Sequence, residues 1–77
     1  MREKSKKLLL ECIKLMMQQG ISADLIETAL DLTIAQITVE RKLLFLKKMK
    51  QILLTKPTEE KFHTEISKLY KEFKQIY

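Results

Sequence analysis

At 77 residues, 45% of them hydrophobic and 32% charged, the chain suffices for one small folded domain and is too apolar for wholesale disorder. A single cysteine excludes an internal disulfide, and no apolar run reaches the roughly 18 residues that span a bilayer. The formal net charge of +5 is compatible with nucleic acid, an acidic protein or a membrane surface and demands none of them.

A domain this small buries only about 60–65% of the surface its unfolded chain exposes, and a helical core of that size supplies roughly 3–5 kcal/mol. Such scaffolds take a disulfide, a metal or a second subunit as a staple. Cys12 sits in an apolar run without an activating neighbour, so it reads as a small buried hydrophobe and not as a nucleophile. A homodimer or a larger protein partner is the expected staple. The basic start followed by Leu8-Leu9-Leu10 has the outline of a signal peptide. Glu11 and Lys14 interrupt it and no small-residue cleavage site follows, so a cytoplasmic location is expected.

The glycine at Gly20 and the proline at Pro57 fall between apolar-periodic stretches and punctuate an all-α bundle of four helices. Helix one is expected over about 3–19, with Leu9, Cys12, Ile13, Met16 and Met17 on one face, broadened by Leu8 and Leu15. Gly20 suits the left-handed cap that ends it. Helix two is expected over about 22–30: Ser22 is a capping residue, Asp24 favours the positive end of the dipole, and Ile21 and Ile26 have staple spacing. Helix three is expected to start at Thr33, where Thr33 and Gln36 have capping-box spacing and Leu32 and Ile37 repeat the staple. Nothing interrupts it before Pro57, so it is read as a long helix over about 33–54. Helix four is expected over about 58–76, with Glu59 and Glu60 in its first turn. Phe62, Ile66, Leu69, Phe73 and Ile76 follow a heptad-like spacing, flanked by Tyr70 and Tyr77.

That last seam is the first candidate site. Phe62, Ile66, Leu69, Tyr70, Phe73 and Tyr77 form an apolar and aromatic face suited to packing on a second copy or another helix.

Charge is segregated along the chain. Between Met16 and Glu40 there is no Lys or Arg, but there are Asp24, Glu27 and Asp31. From Arg41 to Lys56 the balance reverses. Arg41, Lys42, Lys47, Lys48 and Lys50 are the second candidate site, either a stripe that meets phosphates or the solvated side of an amphipathic helix.

The stretch from Met17 to Ile37 has a helix–turn–helix rhythm. Residues 8–37 resemble the C-terminal tail of the recombination-promoting nuclease family, the transposase-like nucleases. That tail ends with a helix, a glycine, a short helix, a Gly-Leu turn and another helix. The apolar residues and Gly20 match, and Asp31 stands where the family's turn has glycine. Asp tolerates the left-handed conformation better than most residues. The family's acidic nuclease core is absent from this sequence, and Arg41 to Tyr77 follows another pattern. The resemblance implies a stand-alone regulator or inhibitor of nuclease activity, dimeric and not itself a nuclease.

If the unit read bases, Gln36 would pair with adenine and Thr38 would add a modest contact. The charge around those positions is acidic, however, and phosphate contacts supply most of the affinity for DNA. The lone histidine, His63, makes a Glu-x-x-His pair with Glu60, but a di-metal bundle needs two such pairs and further carboxylates. No phosphate loop, nucleophile elbow or zinc-ligand cluster is present in the sequence. The expected function is a non-enzymatic regulator acting through protein contacts, as a homodimer and without cofactor, membrane or small-molecule substrate. A DNA- or RNA-binding regulator is the alternative.

Overall fold

The computed structural model describes residues 2–74, which form four α-helices and one π turn: α1 Glu3–Gln18, α2 Ala23–Asp31, the π turn Leu32–Gln36, α3 Val39–Leu54 and α4 Glu59–Lys74. The punctuation works as the local chemistry requires. Gly20 has φ +72°, its N–H donates to the Met17 carbonyl (3.1 Å), and the Ile21 N–H donates to the Met16 carbonyl (3.0 Å). Those two bonds make a Schellman cap, which satisfies carbonyls at the end of α1 that have no helical partner. Ser22 adopts an extended conformation and its hydroxyl accepts from the Leu25 N–H. At the start of α4 the Thr58 hydroxyl accepts from the Lys61 N–H at 3.2 Å. The C-terminal end expected for that helix, including Ile76, lies outside the described residues.

Helix three departs from the expectation. Asp31 and Leu32 both have right-handed helical backbone angles, so no turn separates them. The second helix instead runs on through the π turn and ends at Ile37, which is extended (φ −101°, ψ 132°). Thr33 is no cap: it is fully buried and its hydroxyl donates back to the Ala29 carbonyl at 2.8 Å. The cap position is Thr38, whose carbonyl accepts from the N–H groups of Arg41 and Lys42. At 16 residues α3 equals α1 and α4 in length instead of exceeding them. Magnitudes explain the outcome. A capping box contributes about 1 kcal/mol, whereas burying an isoleucine contributes about 1.5–3 kcal/mol. Breaking the chain at 37–38 leaves Ile37 only 5% exposed.

Two contacts fix the relation of α1 and α3. The Cys12 thiol lies 3.7 Å from the Leu46 carbonyl, and Gln19 Nε2 donates to the Leu53 carbonyl at 2.7 Å. Both pairs are separated by 34 residues, so the two helices run parallel. Helix α4 returns antiparallel to α3, with Phe73 against Arg41 near the start of α3 and the earlier Glu65 lining one cleft with Ile52 towards its end. The second helix and its π turn carry the chain back between the ends of α1 and α3. The core holds Met16, Phe45, Leu46, Met49, Leu53, Phe62 and Ile66 at its centre. Phe45 and Phe73 meet edge to face, with ring centroids 5.3 Å apart at 83°. A further tie joins the helix starts, where the Ser22 N–H donates to the carboxylate of Glu59. Among the described residues no helix is long and apolar enough to cross a membrane.

Candidate binding surfaces

The aromatic seam is spent inside the chain. Phe62 and Ile66 are fully buried, Leu69 and Phe73 nearly so, and Tyr70 is half-buried against the same core. Tyr77 lies outside the described residues. The 4-3-4-3 spacing thus marks the side of α4 that packs on α3, which corrects the expectation that this face is left over for a partner. Periodicity reveals that a face is apolar and is silent on what covers it.

The basic stripe is also divided by the fold. The Arg41 guanidinium lies 4.5 Å from the Phe73 ring centroid, and its Nη1 donates to the Phe73 carbonyl at 3.2 Å. Arg41 is therefore a clamp on the end of α4. Lys42 is only 8% exposed, so its aliphatic stem serves as packing. Lys50 pairs with Glu11 at 3.0 Å, with both side chains partly exposed. Lys47 and Lys48 remain on the outer side of α3.

The two residues expected to read bases sit elsewhere than on a recognition helix. Gln36 ends the π turn, and its Oε1 accepts from the Tyr70 hydroxyl at 3.4 Å. Thr38 is the exposed residue before α3. Together with Arg41, Tyr70, Phe73 and Lys74 they line a cleft of about 210 Å³ between the α3 start and α4. The fold brings these sequence-selected residues together as a helix junction. Glu60 and His63 are exposed on α4.

Cys12 is completely buried, and burial pushes its thiol up from an ordinary 9.0 to about 11, with Lys50 opposing and Glu11 adding to the shift. A thiol so placed stays protonated near neutrality and is a poor nucleophile.

Other large apolar side chains remain in solvent. Met17 is 67% exposed, Leu10 and Leu54 each 58%, and Ile34 51%. Met17 was expected on the core face of helix one and is not there. Leu10 and Met17 are seven residues apart, two turns along one stripe, a spacing that could have flagged them. Leu54 borders an open groove of about 310 Å³ between the parallel helices α1 and α3, with Glu11, Lys14, Leu15, Gln18 and Lys50.

Compared with known proteins, the chain matches no family model, no curated protein and no solved structure.

Proposed function

We propose that this chain is a non-enzymatic helical regulator that acts by binding protein. The observation that supports this reading is the exposure of Leu10, Met17 and Leu54 on the outer sides of α1 and α3, beside a core that is already filled. Large apolar side chains left in solvent contribute most when a partner covers them. The nucleic-acid alternative is the weaker reading, because Arg41, Lys42 and Lys50 are committed to contacts or burial within the fold. The nuclease-tail resemblance of residues 8–37 makes a nuclease one partner to try.

The test is a triple variant, Leu10→Ser, Met17→Ser and Leu54→Ser, compared with the parent chain. All three positions are solvent-facing, so helicity by circular dichroism should be retained. Crosslinking that captures protein with the parent should fail with the variant. Equal capture by both would overturn the reading.

A further inference from the structure

The groove between α1 and α3 carries a charge pattern, and α2 carries its complement. On α1, Lys7 and Lys14 are exposed and seven residues apart, which places them on one stripe. On α3, Lys47 and Leu54 share the corresponding stripe, with Lys50 between them. Glu11 in the groove pairs with Lys50, which takes both charges out of the count. The floor turns apolar at one end, where half-buried Leu15 and exposed Leu54 both line it. Lys7, Lys14 and Lys47 therefore give the middle of this face a cationic surplus, between the apolar end and the helix starts, where Glu3 and Glu40 mix with Arg2 and Lys4.

On α2 and its π turn, Asp24, Glu27, Asp31 and Ile34 follow a 3-4-3 spacing, and all four are exposed. No Lys or Arg occurs between Met16 and Glu40 to dilute that stripe. It is acidic and ends on an exposed isoleucine. Lengths agree as well. Asp24 to Ile34 spans about 15 Å at 1.5 Å per residue, and Lys7 to Leu15 spans about 12 Å. Parallel helices lie about 8–10 Å apart, and the groove between them accepts a third helix.

We propose that the occupant of this groove is α2 of a second copy of the chain. Asp24, Glu27 and Asp31 lie along Lys7, Lys14 and Lys47, and Ile34 meets Leu15 and Leu54. Each copy offers one groove and one stripe, so the contact is head-to-tail. This rests on the protein-binding reading above and names its partner.

Sedimentation velocity on the full chain tests it, with helicity checked for each variant. The parent should associate reversibly at low salt, and high salt should weaken association by roughly tenfold or more. A groove variant, Lys14→Glu with Lys47→Glu, and a stripe variant, Asp24→Lys with Asp31→Lys, should each sediment as monomer. Mixed, they should associate again, because the intact groove meets the intact stripe and the reversed groove meets the reversed stripe with the charges exchanged. A monomeric parent at high concentration and low salt overturns the proposal. So does association that neither pair of reversals disturbs. If that persistent association is lost in Leu10→Ser with Met17→Ser, the protein-binding reading survives and only the groove assignment fails.

Discussion

Truncating Phe62 separates a core seam from an interface. The ring is wholly buried within one chain. Removing a buried phenylalanine down to alanine costs about 3–5 kcal/mol. A chain of 77 residues has a total stability of about 4–12 kcal/mol, with a small domain in the lower part of that range. Phe62→Ala should therefore forfeit most of the fold. Phe62→Leu keeps most of the volume and should cost about 1.5 kcal/mol. With a urea slope of about 1 kcal/mol per molar, the leucine variant loses roughly 1.5 M in midpoint, and the alanine variant has little or no folded baseline. The sequence has no tryptophan, so the melts are best followed by circular dichroism at 222 nm. They should be run at two widely separated protein concentrations, beside Leu44→Ala as an exposed control. The control should move by about 0.5 kcal/mol or less. The reasoning is refuted if Phe62→Ala keeps the parent's midpoint and changes only the sedimentation coefficient.

Further outcomes at four residues follow from the same structure. Cys12 should resist thiol-directed reagents in the folded chain near neutral pH and react only on unfolding. Because its pKa is raised from 9.0 to about 11, the folded state holds the proton more tightly, and the stability associated with that proton is present below pH 9 and lost as pH rises towards 11. At pH 10 the loss is about 1 kcal/mol, and it should appear in the parent's melts and be missing from those of Cys12→Ala; an identical pH dependence in both would contradict the burial. Gly20→Ala should cost about 1 kcal/mol through its positive φ alone, since an added Cβ meets nothing within 4 Å. Lys56 also has positive φ (53°), so Lys56→Gly should stabilise by about 0.5–1 kcal/mol in the same melts. Arg41→Ala should lose about 1–2 kcal/mol from the stacking and the bond to the Phe73 carbonyl, and an unchanged melt would remove it from the clamp role.

The features legible in the sequence were those set by neighbours a few residues apart. Gly20, Ser22 and Thr58 mark helix ends because cap geometry involves a single turn of chain. The burial of Cys12 and Met16 follows from apolar spacing along α1. Tertiary structure decided the rest, where a local signal competed with a distant contact. At Thr33 a capping box was available, and the core preferred Ile37, so the helix continued and broke at Thr38. On α4 the apolar seam was plain, and only the arrival of α3 determined that it is interior. Arg41 and Lys48 share one basic run, yet α4 takes the first as a clamp and leaves the second in solvent. The physical reason is common to all three. Caps and periodicity are short-range and worth about 1 kcal/mol each, while the choice of covered face is made by burial summed over residues tens of positions apart.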